Sequence, residues 1–289
     1  MPTAPRGLLV PGPRPAAPIR FGLLNVVQPV TPSDNHWEIS GVEWEDFLCT
    51  TVESFIEDCP PATGHTKSKE RDLVFCASDP FIIKGSYDCS TGGRRPGDAF
   101  EIARQRLLNW EGHELEQVLW TGLSANGVVN PSLAFGNDEC TIDVFDLTPV
   151  GGPVSPLAGV AALEEALTDV VPNGGIIHVP YGLSAYLAYL QLLVGVGDRY
   201  YTPTGNSYVL GSGYPGSGPA NVAAAAGTTW IFATGPVAVW RSDVFMTPTE
   251  IGQAVDRQIN DITVYAERVY AVGYSCAVYA INVDLSCTC

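Results

Sequence analysis

The residues of this chain whose types could carry chemistry are eight cysteines, four histidines and a few close carboxylates. The cysteines stand at 49, 59, 76, 89, 140, 276, 287 and 289. A structural zinc site needs matched close pairs of Cys or His ligands. Cys287-Thr288-Cys289 is the one close pair and has no second pair to match it, so no metal site is expected. A chain of 289 residues does not need staples to hold a core. Met1 to Ala17 holds five prolines and no apolar centre of a secretory signal. The cysteines therefore read as mostly buried thiols formed in a reducing cytosol, with disulfides between subunits after release as the alternative.

The histidines, His36, His65, His113 and His178, are scattered, and none forms a helical pair with another ligand. His178 ends a strand pattern and reads as a satisfied core or rim histidine rather than a base. Glu164-Glu165 and Glu114 with Glu116 fall on helical stretches and read as solvated faces, although carboxylates distant in sequence can still meet in space. Gly211-Ser212-Gly213-Tyr214-Pro215-Gly216 matches a dinucleotide-binding pattern, but Pro215 and Pro219 oppose the helix that must follow. No acidic residue lies about 20 positions on, so the segment reads as a turn. No nucleophile-elbow motif survives inspection. No catalytic residue, cofactor or metal is expected.

Charge is more informative. The formal net charge is −16, so binding a polyanion through most of the surface is excluded, because that needs Lys and Arg. Charged residues make up only 16% of the chain, which fits surface buried against neighbours and equally an ordinary β-rich domain. The basic residues are unevenly placed. Arg6, Arg14 and Arg20 lie in a first stretch of 30 residues that has no acid. Lys67, Lys69 and Arg71 sit together in a polar segment, and two of the three lysines of the chain are there. Both groups are candidate contacts to an acidic neighbouring subunit, with a disordered leader and a solvated exposed tip as the respective alternatives. No apolar run reaches the roughly 18 residues that span a bilayer.

The elements that must position these residues follow from periodicity. Residues 1–34 are rich in proline and read as an extended arm, with an apolar patch from Phe21 to Val27 that could pack on something. Residues 35–93 alternate in short stretches, around Trp37 and Trp44 and again at Val74-Phe75 and Phe81 to Ile83. This reads as a long two-stranded excursion with a basic tip, marginal unless it lies on another surface. Residues 97–121 carry Ala103, Leu107, Leu108, Leu115, Leu119 and Trp120 near helical period, with Asp98 as candidate cap, a bend at Gly112 and Gly122 as C′ residue. Ser155-Pro156 opens a helix to about Val170. Gly175 to Val179 is a buried strand, Leu183 to Val194 a short helix closed by Gly195, and Tyr208 to Leu210 a strand. Thr229 to Ala233 and Val237 to Phe245 are strands, and Thr247 to Glu250 is a capping box opening a helix through Ile259. Ile262, Val264 and Ala266 mark one face of an alternating strand, and Cys276 to Leu285 is the last strand.

This order (arm, β excursion, long helix, α/β insertion, returning long strands) resembles the HK97-like fold of tailed-bacteriophage major capsid proteins, which encapsulins share. Val118-Leu119-Trp120-Thr121-Gly122 resembles the end of the family's spine helix. Ile176-Ile177-His178-Val179-Pro180 and the segments to Pro215 resemble its axial lobe, and Asp261 to Val264 with Cys276 to Tyr279 its closing strands. The resemblance implies an α+β fold divided into an N-terminal arm (1–34), an extended loop (35–93), a peripheral domain with the spine helix (94–139), an axial domain (140–246) and the closing peripheral strands (247–289). It implies a non-enzymatic major capsid protein that self-assembles through hexamers and pentamers into an icosahedral shell around double-stranded DNA. Its expected partners are copies of itself, a separate scaffolding or decoration protein, the portal and the packaged DNA, with no membrane. The expected location is the virion, after assembly in the host bacterial cytoplasm. Deleting residues 1–30 is expected to leave a soluble folded core without shells. The alternatives are an encapsulin-like compartment, and a monomeric carbohydrate-active or binding module.

Overall fold

The computed structural model describes residues 20–46, 74–90, 96–172, 174–258 and 260–286. In chain order the first elements are α1 (Leu23–Val26), α2 (Trp37–Ser40), β1 (Val42–Asp46), β2 (Val74–Ser78), β3 (Phe81–Ser90) and the long helix α3 (Pro96–Thr121). There follow β4 (Leu123–Ser124), β5 (Gly127–Val128), β6 (Val144–Asp146), α4 (Pro156–Val170), β7 (Ile176–Pro180) and α5 (Ser184–Tyr189). The remainder is β8 (Val194–Val196), β9 (Arg199–Tyr201), β10 (Ser207–Gly211), β11 (Thr228–Thr234), β12 (Val237–Arg241), β13 (Phe245–Thr247), β14 (Val255–Asp256), β15 (Asp261–Tyr274) and β16 (Val278–Asp284).

Two sheets organise the chain. The first has seven strands in the order β6-β16-β11-β7-β10-β9-β8. Its central strands alternate between two cores. Ile177, Val179, Ile231, Ala233, Ile281 and Val283 face Val160, Leu163 and Leu167 of α4. Ile176, Phe232, Val278 and Ala280 face the other way and share a core with Leu115, Leu119 and Trp120 of α3. Strands buried on both faces read as near-continuous apolar runs, and β7 is buried throughout.

The second sheet is built on β15. One edge of β15 pairs with β3 from Asp261↔Ser90 to Tyr270↔Phe81. The other edge pairs with β12, β13 and β14. Ile262, Val264, Ala266, Tyr270 and Val272 share the core of Ala99, Ala103 and Leu107 on α3. Val269 and Ala271 point to the opposite face, under Trp37. Helix and strand come so close that a Cβ on Gly85 would lie 2.6 Å from the Leu107 nitrogen and 2.7 Å from the Ala103 oxygen. A side chain there would push α3 off the sheet.

The helix α3 therefore joins the two sheets, one by each half. It runs unbroken through Gly112, where a bend was expected, and ends at Gly122, whose φ is +69°. Pro96 lies in its first turn, so Asp98 sits inside the helix rather than at its cap. The N-terminal segment also spans both sheets. Leu210 N–H donates to Phe21 O at 2.8 Å, and Val30 N–H donates to Val239 O at 2.8 Å. Leu23 and Val26 are buried between these ends, so residues 21–30 are a strap belonging to the core. A deletion of residues 1–30 would remove core side chains, contrary to the expectation that it spares the fold.

Several local expectations change. Trp37 begins a helical turn instead of a strand. The helix expected to reach Val194 stops at Tyr189: Gln191 has φ +58°, and Val194 to Val196 pair with β9. A short apolar run does not distinguish helix from strand, and pairing decided this one. The capping box at Thr247 is not used. Thr247 ends β13 and its hydroxyl donates to Glu267 Oε2 at 2.9 Å, so only Ile251–Ala254 forms a 3-10 turn. The expected unit 247–289 spans both sheets, since β15 lies in one and β16 in the other.

Candidate assembly surface

Three buried polar groups hold the junction between α3 and the sheets. Glu116, expected on a solvated face, is only 3% exposed. Its Oε1 accepts from Leu23 N–H at 2.9 Å, and its Oε2 accepts from Gly213 N–H at 3.0 Å and Ser212 Oγ at 3.2 Å. One carboxylate thus pins the strap and the 211–216 turn to the helix. Burial pushes its pKa up, opposed by the backbone donors of Gly213 and Leu23. Sequence periodicity missed it because the helix is covered on more than its apolar stripe. The glycine-rich turn is the signal that could have found it: a Cβ on Gly213 would collide with the His113 carbonyl, so the turn is pressed onto α3.

Glu111 lies one and a half turns earlier and faces β15. Its Oε2 accepts from Arg268 Nη1 at 2.7 Å and Tyr270 Oη at 2.9 Å. Burial, then the Glu111 charge, pushes the Tyr270 hydroxyl well above the ordinary range. His178 is completely buried, as the reading of a satisfied core histidine requires. Its Nδ1 lies 2.9 Å from Tyr214 Oη and its Nε2 lies 3.0 Å from Thr234 Oγ1. Burial lowers its pKa to about 3. Beside it, Trp120 packs on Tyr214 and edge-on against Phe232, both with ring centroids 4.8 Å apart, while its indole N–H donates to Ser217 O. Both oxygens of Glu116, Oε2 of Glu111 and both ring nitrogens of His178 are engaged by the protein itself, which makes them positioning groups for the frame. The segment from Gly211 to Gly216 leads from the end of β10 through a turn, as read, and is followed by a single 3-10 turn at Pro219–Asn221 rather than an α-helix.

The frame leaves apolar side chains outside. Tyr181, Tyr189, Val194 and Val196 are all exposed along α5 and the β8 edge, with Tyr189 at 71%. Val194 and Val196 lie on one face of β8, whose far edge has no partner strand among the described residues. Apolar side chains on an open edge invite another chain. A second set, Val74 and Phe75 with Ile39, is exposed at the root of the excursion. Leu108 and Trp110 of α3 are exposed as well, on different sides of the helix.

Of the basic residues singled out as contacts, Arg20 is exposed at the start of the described strap. Arg6, Arg14, Lys67, Lys69 and Arg71 lie outside the described residues. β1 and β2 pair antiparallel from Val42↔Ser78 to Asp46↔Val74, while the rest of the expected excursion, residues 47–73, lies outside the described residues. The cysteines depart from the thiol reading: Cys76 and Cys140 form a disulfide within the chain, and Cys276 is disulfide-bonded as well. Residues 64 apart in sequence meet at that cross-link, and spacing alone does not reveal such pairs. Among the described residues no group of His, Cys, Asp or Glu is arranged to hold a metal, and no helix is long and apolar enough to cross a membrane.

Neither a protein-family description nor a curated protein matches this chain by sequence. Solved structures do match. The capsid of an empty GTA particle shares 9% identity, with 94% of this chain and 100% of that chain covered at a TM-score of 0.54. The capsid of Ralstonia phage GP4 shares 11% identity, with 99% and 97% covered at 0.50. The holo-SrpI encapsulin complex of Synechococcus elongatus shares 12% identity, with 98% and 94% covered at 0.50. The likeness runs over essentially whole chains, and the chain has the HK97-like fold.

Proposed function

We propose that the chain is the major capsid protein of a tailed phage and has no catalytic role. One observation carries this reading: the match to capsid chains covers nearly the whole of both chains. The surface supports it. Open apolar edges at Tyr189, Val194 and Val196 and at Phe75 suit a subunit that buries them against copies of itself. The acidic surplus suits a wall that does not stick to packaged DNA.

In this reading the segment around β8 meets its counterparts in hexamers and pentamers, and the excursion reaches a neighbouring subunit. Arg6, Arg14, Arg20, Lys67, Lys69 and Arg71 supply charge-assisted contacts to acidic neighbours. Many weak contacts then sum to a stable icosahedral shell in the virion. Assembly in the host bacterial cytoplasm, a scaffolding or decoration protein, the portal and DNA complete the expected setting. The encapsulin match supports a second reading, a shell around a protein cargo.

Negative-stain electron microscopy with sedimentation velocity tests both. Closed shells or discrete hexamers and pentamers are expected from the chain expressed alone or with neighbouring genes. A persistent monomer near 30.8 kDa overturns the shell reading. Nuclease-protected DNA inside the particles separates the phage from the compartment.

A further inference from the structure

The excursion leaves the body as a ribbon of five residue pairs, and a two-stranded ribbon is marginal in water. Its inner end is well held. Ser78 Oγ donates to Val272 O at 2.9 Å, and Asp79 N–H donates to Asn130 O at 2.8 Å. Trp44 packs against Trp240, with ring centroids 5.4 Å apart. Further out the side chains of Val74 and Phe75 are exposed. Cys76, opposite Trp44 in the ribbon, is bonded to Cys140 in the loop that follows β5. Beside it, Asn137 Nδ2 donates to Ala77 O at a long 3.4 Å. On the other strand, Asp46 Oδ2 accepts from Cys276 N–H at 3.1 Å, and Cys276 is itself disulfide-bonded. Both strands of the ribbon are therefore tied to the body at or beside a cystine.

We propose that the Cys76–Cys140 disulfide is a redox latch on the ribbon: closed, it fixes β1 and β2 against the body, and open, it lets them swing from the Ser78 end. Closure is thiol–disulfide exchange with a low-molecular-weight disulfide. The two thiols become one cystine, and their two hydrogens leave on the small molecule, which departs as two thiols. Opening is the reverse, with a low-molecular-weight thiol as reductant. Both sulfurs are buried, so the reagent reaches them when the ribbon lifts. A chain made in a reducing compartment would carry a loose ribbon, and the same chain in an oxidising medium a fixed one. The latch is a property of the single chain and stands whether or not the chain builds shells.

Hydrogen exchange by mass spectrometry on the full chain tests it, after incubation with oxidised or reduced glutathione. On reduction, peptides covering 42–46 and 74–78 should exchange about tenfold faster, beyond any change in peptides from α3. In Cys76→Ser, the peptide covering 74–78 should exchange as in the reduced chain and stop responding to glutathione. Cys140→Ala checks the same from the other side if Cys76→Ser does not fold. An unchanged ribbon on reduction overturns the latch. So does an equal acceleration of the ribbon and α3, since the disulfide would then act only on global stability. Alkylation of Cys76 and Cys140 in the oxidised chain overturns it as well, because the cystine would not have formed.

Discussion

The seven-stranded sheet and the ribbon at the root of the excursion show two ways of holding strands in place. In the sheet, β7 and β11 have apolar neighbours on both faces, from α4 on one side and α3 on the other. Each fully buried aliphatic side chain there stabilises by about 1.5–3 kcal/mol, and no cross-link is required. The ribbon has five residue pairs and leaves Phe75 exposed, and it is tied by a covalent bond and a few polar contacts. Burial makes the sheet sensitive to anything that charges its interior. Covalent attachment makes the ribbon sensitive to reductant instead.

The largest expected effect tests the sheet. Burial holds His178 neutral, with a pKa of about 3 against an ordinary 6.5. Stability from the neutral ring is full above pH 6.5 and is lost as pH falls toward 3, at up to about 1.4 kcal/mol per pH unit and about 5 kcal/mol in all. Glu116 opposes this, since its raised pKa favours the protonated folded form and lowers stability as pH rises above 4.5. Denaturant melts from pH 7 to 4 should show net acid destabilisation, and a His178→Gln variant should show a flatter slope. An equal slope in both would mean that the sheet is not the acid-sensitive region.

Breaking the ribbon's cross-link comes next. Reduction releases a closed loop of 64 residues, and loop entropy puts its contribution at about 4 kcal/mol. The shift in denaturant midpoint on adding reductant measures it. Glu116→Ala would orphan the Leu23 and Gly213 amides and cost about 2–4 kcal/mol in the same assay, with faster exchange in the strap. The smallest effect is at α4. Ser155 Oγ accepts from Ala158 N–H at 3.3 Å, so Ser155→Ala should cost about 1 kcal/mol without touching the ribbon.

Much of the frame was legible because it is local. Ser155-Pro156 opens α4 at the expected residue, Gly122 closes α3, and Ile262, Val264 and Ala266 face the helix as their alternation requires. The order of elements along the sequence is that of the HK97-like fold. Other features were illegible because the competing partner is remote. Thr247 had capping chemistry at hand, but a carboxylate on β15 took its hydroxyl. Val194 and Val196 fitted a helix until β9 offered them a strand partner.

The sequence by itself determined what depends on neighbours within a few residues: caps, strand alternation, the long spine of α3 and the acidic character of the chain. Tertiary structure alone decided what depends on distant chain meeting in space. It buried Glu116 under a strap 93 residues away, set Glu111 against Arg268, and brought Cys76 to Cys140. The physical reason is that a carboxylate or thiol has no periodicity of its own. Its role follows from the donor, charge or sulfur that folding places beside it.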